Sequence, residues 1–238
     1  MRAAAPTGMN RWLSGLLLAA AAHAAEPAVF SSGPEQVRLV ELYTSEGCSS
    51  CPPAEAWLGS LRDEPGLWRD FVPVAFHVAY WDRLGWKDRW ASRAFTERQY
   101  LYSERWGSSS VYTPCFVLDG QEWRHRRPPG RGPSAGRLEA VVTGGRCRVA
   151  FAGGTPADQV TVALLGGGIT SPVRRGENAG RTLRHEFVAL GLASAPLVNG
   201  AAELMLPPVD PAGVGRRALA VWVSRAGAPL QAAGGWLD

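Results

Sequence analysis

A chain of 238 residues, 46% hydrophobic and 19% charged, is long enough to bury a sizeable core and too apolar for a disordered protein. Its formal net charge of +4 owes much to two N-terminal arginines. Without Arg2 and Arg11 the 25 basic side chains fall to 23, against 21 acidic ones, which leaves +2 and excludes a nucleic-acid role argued from charge.

Arg2 and Arg11 flank the start of a short apolar run, Trp12-Leu13-Ser14-Gly15-Leu16-Leu17-Leu18, and Ala22-His23-Ala24 ends it with an A-x-A site. The run falls short of the roughly 20 apolar residues that span a bilayer, so it predicts a signal peptide over residues 1–24, with no stable membrane insertion after its removal. The mature chain is thereby expected in the periplasm or outside the cell. All four cysteines then stand in an oxidising compartment, where disulfides persist.

The Ser/Gly/Pro stretch Ser31-Ser32-Gly33-Pro34 reads as a linker, and residues 37–43, β-rich and mostly apolar, as a buried strand. Next comes Gly47-Cys48-Ser49-Ser50-Cys51-Pro52-Pro53. Trp57, Leu58 and Leu61 at helical spacing predict a helix that begins at the cysteines, with Ser49 or Ser50 as cap and prolines tolerated in its first turn. Residues 71–78 form a second strand with Pro73 near its start. The aromatic loop from Tyr80 to Asp88 leads to a helix from Ser92 to Trp106, capped by Ser92 and stopped by Gly107.

Residues 111–118 read as a third strand, Asp119-Gly120 as a hairpin turn, and residues 134–142 as a short closing helix. The run Arg124-His125-Arg126-Arg127 reads as a solvated loop. From Gly144 onward, strand-like runs at 146–151, 160–165 and 218–223 alternate with Gly/Pro turns and predict a small all-β, sandwich-like unit. The resulting expectation is an α/β domain over residues 35–143 followed by a small β domain over residues 144–238.

The Cys pair carries the chemistry. Free N–H groups at a helix N-terminus stabilise a thiolate, so Cys48 is the expected exposed nucleophile and Cys51 the buried resolving thiol. In a thioredoxin-like topology, Thr113-Pro114 stands where a cis-proline faces the Cys pair and leaves a backbone edge for a substrate strand. Glu41, in an otherwise apolar strand, is either a buried carboxyl that relays a proton to Cys51 or an outward-facing residue.

The stretch Glu41-Leu42-Tyr43-Thr44-Ser45-Glu46-Gly47-Cys48-Ser49-Ser50-Cys51-Pro52-Pro53-Ala54 resembles the opening motif of a family of secreted bacterial proteins of unknown function. Further matches are Ala75-Phe76-His77-Val78, Tyr80-Trp81-Asp82, Leu84-Gly85-Trp86-Lys87-Asp88, Val111-Tyr112-Thr113-Pro114 and Gly176-Glu177-Asn178-Ala179-Gly180-Arg181-Thr182-Leu183. The resemblance implies a thioredoxin-like fold and export, and no established reaction. Ala79 stands where the family usually has an aspartate, and Cys115 where a glutamine usually follows the proline, which brings an extra thiol toward Cys48 and Cys51.

The leading expectation is therefore an exported thiol–disulfide oxidoreductase with Cys48 and Cys51 as catalytic pair. Pro114, Thr113, Glu41, Cys115 and His77 support them, and protein thiols or disulfides, or a redox partner protein, are the partners. No cofactor is expected. The alternative is a non-catalytic protein- or metal-binding module on a thioredoxin-like fold, with Cys48, Cys51, Cys115 and His77 as a mixed zinc or copper ligand set. A structural staple is a weak reason for so short a loop. His77 also fits a satisfied structural histidine, Tyr80, Trp81, Trp86 and Trp90 fit core packing or a groove wall, and Glu177-Asn178 fits a turn, the preferred reading, or a domain contact. Cys115 and Cys147 either pair or stay free.

Overall fold

A computed structural model describes residue 1, residues 26–124 and residues 127–237. The remainder of the expected signal peptide, and His125 and Arg126 of the basic run, lie outside the described residues. Among the described residues no helix is long and apolar enough to cross a membrane.

Strand β1 (Ala28–Ser31) precedes β2 (Arg38–Thr44), whose residues are buried on both faces from Leu39 on, as a central strand requires. Helix α1 (Pro52–Ser60) begins at Cys51, which caps it without a side-chain bond; the two prolines take the first positions, where no N–H is needed. Strand β3 (Phe71–His77) lies parallel to β2, with Thr44 beside His77. A 3-10 turn over Ala79–Leu84 leads to α2 (Arg93–Arg105), capped as expected by the Ser92 hydroxyl, which accepts from the Ala94 N–H at 3.2 Å. Strands β4 (Cys115–Leu118) and β5 (Gln121–Glu122) form a hairpin turned by Asp119 and Gly120, with φ of 48° and 84°.

Strands β6 (Leu138–Thr143) and β7 (Arg146–Phe151) form a second hairpin, turning at Gly144-Gly145. The expected boundary between residues 143 and 144 therefore falls at this turn. Strands β8 (Asp158–Gly167), β9 (Ile169–Pro172), β10 (Thr182–His185), β11 (Val188–Pro196), β12 (Ala201–Met205), β13 (Arg216–Arg225) and β14 (Ala228–Trp236) complete the chain.

The expected fold class, an α/β thioredoxin-like domain followed by a small sandwich-like β domain, is corrected. Of the described residues 44% are strand and 15% helix, and large multi-stranded sheets dominate. An eight-stranded sheet runs β14-β13-β8-β11-β3-β2-β4-β5, taking strands from both halves of the chain. The link is β11, which docks parallel to β3 at the Val188–Ala75 position, where the Ala75 N–H meets the Phe187 carbonyl at 2.8 Å. Pro73, two residues earlier and without an N–H to donate, pairs with Val40 of β2 and has no register partner on the β11 side.

A four-stranded sheet, β1-β6-β7-β12, packs over the β14-β13-β8 end through Phe30, Leu138, Val149, Val160 and Val221. The expected helix at 134–142 is thus strand β6, whose buried Leu138 and Ala140 alternate with more exposed neighbours at the period of two that a half-buried strand shows. Alternation along β2 matters more for function. Glu41 and Tyr43 face α2, whereas Thr44 reaches Glu55 of α1 on the other side.

Candidate functional site

Strand β2 runs into Ser45-Glu46-Gly47 and the disulfide Cys48–Cys51, whose Cα atoms are 5.4 Å apart. The turn closes on itself: the Cys51 N–H donates to the Cys48 carbonyl at 3.2 Å, and the Ala54 N–H to the Cys51 carbonyl at 2.9 Å. A side chain at Gly47 would place its Cβ 3.1 Å from that of Trp81, tighter than ordinary van der Waals contact, so glycine lets the backbone pass without displacing Trp81. The Trp81 indole N–H donates to the Thr113 hydroxyl at 2.8 Å, which ties the loop to the Thr113–Pro114 bond, and that bond is cis.

Cys48 is not exposed, contrary to expectation: both cysteines have 0% exposure. The segment carrying Glu177 and Asn178 lies against them. Asn178, itself fully buried, donates through Nδ2 to the carbonyls of Glu46 and Cys48, each at 2.9 Å. The Glu177 carboxylate accepts from the Ser49 N–H at 3.0 Å and the Ser49 hydroxyl at 2.7 Å, and these bonds hold it below the usual glutamate range. The pair lies in the expected turn and, through it, forms a clasp on the Cys loop.

Beside the disulfide loop lies a buried cluster of acids and imidazoles. His77 ends β3, His185 ends β10, Glu55 sits in the first turn of α1, and Glu46 precedes the cysteines. His77 Nδ1 is 2.7 Å from Asp88 Oδ2, while its Nε2 is buried with no hydrogen-bond partner among the described residues. Asp88 is fixed in turn by the N–H groups of Glu46 and Trp90, each at 2.9 Å. His185 Nδ1 contacts Glu55 Oε2, and its Nε2 faces Glu46 Oε1 at 3.3 Å without hydrogen-bonding geometry. The outer oxygens are held too: Glu55 Oε1 accepts from the Thr44 hydroxyl at 2.5 Å, and Glu46 Oε2 from the Trp86 indole at 2.6 Å.

Burial alone would strip charge from these groups, and their mutual attraction overrides it. Burial lowers the pKa of His185, but Glu55 and Glu46 push it up to about 10. Burial likewise opposes a charged His77, and Asp88 raises it above the ordinary histidine value. Glu55 and Asp88 end below the usual carboxylate range because His185 and His77, respectively, outweigh desolvation. A groove of about 550 Å3 between α1 and the β9–β10 pair has Glu55 and His185 in its wall, and so connects the cluster to the surface.

The other expected residues lie elsewhere. Glu41 is buried against α2, not under the disulfide, and is held by Arg98 (2.8 and 2.9 Å), Tyr43 (2.9 Å) and Tyr102 (2.6 Å). The buried carboxyls on the Cys side are Glu46, Glu55 and Asp88. Cys115 is a free thiol at the start of β4, and burial pushes it up to about 11; Cys147 is also free and buried, in the other core, with the same rise from the same cause. The two do not pair. Sequence reasoning found His77 and missed Glu46, Glu55, Asp88 and His185. Glu55 and His185 stand at the start of α1 and the end of β10, and Glu46 and Asp88 in loops, so no spacing linked them.

Two solved structures resemble this architecture. A structural-genomics protein from Agrobacterium tumefaciens aligns with a TM-score of 0.61 and 24% identity over 85% of this chain and 94% of its own. HBP35 of Porphyromonas gingivalis aligns with a TM-score of 0.54 and 12% identity over 87% of this chain and 77% of its own. At these identities the likeness concerns the fold. Comparison with curated proteins gives no match. The family model described as "Protein of unknown function (DUF1223)" matches residues 39–224, and with that span covered the chain belongs to this family.

Proposed function

We propose that the protein is an exported thiol–disulfide exchange protein acting on protein thiols or disulfides in the periplasm or outside the cell. The observation that carries the reading is the Cys48–Cys51 disulfide, closed across the start of α1 with the second sulfur at the helix cap. A substrate thiolate attacks Cys48 Sγ, the Cys48–Cys51 bond breaks, and Cys51 leaves as a thiolate at the positive end of the α1 dipole. A second substrate thiolate then attacks the substrate sulfur of the mixed disulfide and releases Cys48. The substrate gains a disulfide and the protein two thiols; the reverse sequence reduces a substrate. Because both cysteines are buried, attack requires the Glu177–Asn178 clasp to open.

That same burial supports a second reading, a non-catalytic protein-binding module with an inert disulfide. Trapping separates the two. With Cys51→Ser, the exported protein is expected to accumulate mixed disulfides through Cys48, which disappear when Cys48→Ala is added. No trapping, together with a disulfide that glutathione buffers leave intact, would sink the exchange reading.

A further inference from the structure

We propose that Glu55, His77 and His185 form a binding site for a single divalent first-row transition-metal ion, with Zn2+ the best match to the donor set. Each of the three brings a ligating atom within 4.8 Å of the other two, close enough that small side-chain movements bring all three to about 2 Å from a shared ion. Two imidazoles and one carboxylate are a recurring zinc set, and the absence of thiolate among them sets the site apart from the neighbouring cysteines.

Three further observations point the same way. His77 Nε2 is fully buried and lacks a hydrogen-bond partner among the described residues, although an uncompensated polar atom is costly in a protein interior. The far atoms of two of the ligands are anchored, as in built metal sites: His77 Nδ1 on Asp88 and Glu55 Oε1 on Thr44. Finally, Glu46, Glu55 and Asp88 bring three buried carboxylates together, and among the described residues the basic groups paired with them are the two imidazoles. A dication offsets that excess without requiring both rings to be protonated. The groove beside α1 supplies the way in, since Glu55 and His185 lie in its wall.

The test uses the full chain carrying no polyhistidine tag. Zn2+ competition against a chromophoric chelator is expected to give about one equivalent bound per chain. Glu55→Gln and His185→Gln are each expected to weaken binding at least tenfold, and Asp88→Asn by about 10–100-fold. The Cys48→Ser/Cys51→Ser double variant is expected to bind as the parent does. Bound Co2+ in the parent chain should show a visible spectrum without thiolate-to-metal bands, a readout that depends on no variant folding. A folded parent chain that takes up neither ion overturns the proposal and leaves the cluster as a hydrogen-bonded set of ion pairs. So does a Co2+ spectrum with strong thiolate bands. The proposal is independent of the exchange reading, because trapping through Cys48 can succeed or fail with either result.

Discussion

Glu41 has the environment of a stability determinant. Its carboxylate is fully buried, paired in bidentate fashion with Arg98 and bonded by two tyrosine hydroxyls. Deleting the guanidinium strands a buried charge, so Arg98→Ala should cost about 3–5 kcal/mol in urea denaturation. Replacing both partners, as in Glu41→Gln/Arg98→Met, should cost less than Arg98→Ala alone. A loss below about 1 kcal/mol for Arg98→Ala would mean that solvent already screens the pair. The sequence exposed Glu41 as an oddity in an apolar strand, but not which helix it meets, because alternation fixes a face and leaves the partner open. The same limit hid Glu55 and His185. A lone glutamate in a helix and a lone histidine in a strand carry no spacing signal, and they become a site only when β10 is laid beside α1.

At the scale of elements, the clasp from Gly176 to Gly180 is the part that most directly conditions access to the disulfide. Asn178 satisfies two buried carbonyls, whereas Glu177 works at an exposed edge. Asn178→Ala should therefore loosen the segment by about 1–3 kcal/mol and speed reduction of Cys48–Cys51 by dithiothreitol roughly ten- to hundredfold. Glu177→Ala should do so by less than about fivefold. Rates equal to the parent's for Asn178→Ala would show that the segment is no barrier. Elements with a local punctuation signal were legible: α2 with its Ser92 cap, the Asp119-Gly120 hairpin, and the prolines opening α1. Elements that need a distant partner were not. Strand β6 passed for a helix and β1 went unread because short apolar runs take their identity from the sheet they join, and here the two join each other.

For the whole molecule the decisive contact is the docking of β11 on β3, a pairing of residues far apart in sequence that no local pattern announces. It fuses two stretches that read as separate units into one sheet. Trp222, from β13, shares a core with Leu39, Tyr43 and Phe76 and lies 5.0 Å beneath the Arg98 guanidinium. A core built from both stretches predicts joint melting. With the disulfide intact, calorimetry should give one transition whose calorimetric and van't Hoff enthalpies agree. Trp222→Ala, which empties the largest fully buried side chain, should lower that single transition by about 3–5 kcal/mol of stability without splitting it. Two resolved transitions in the parent, or a Trp222→Ala variant in which only part of the signal moves, would mean that residues 35–143 hold together without β8, β11 and β13. The sheet would then be a contact between two cores, and the clasp on the Cys loop, which comes from the second stretch, would be a domain interface able to part as a unit.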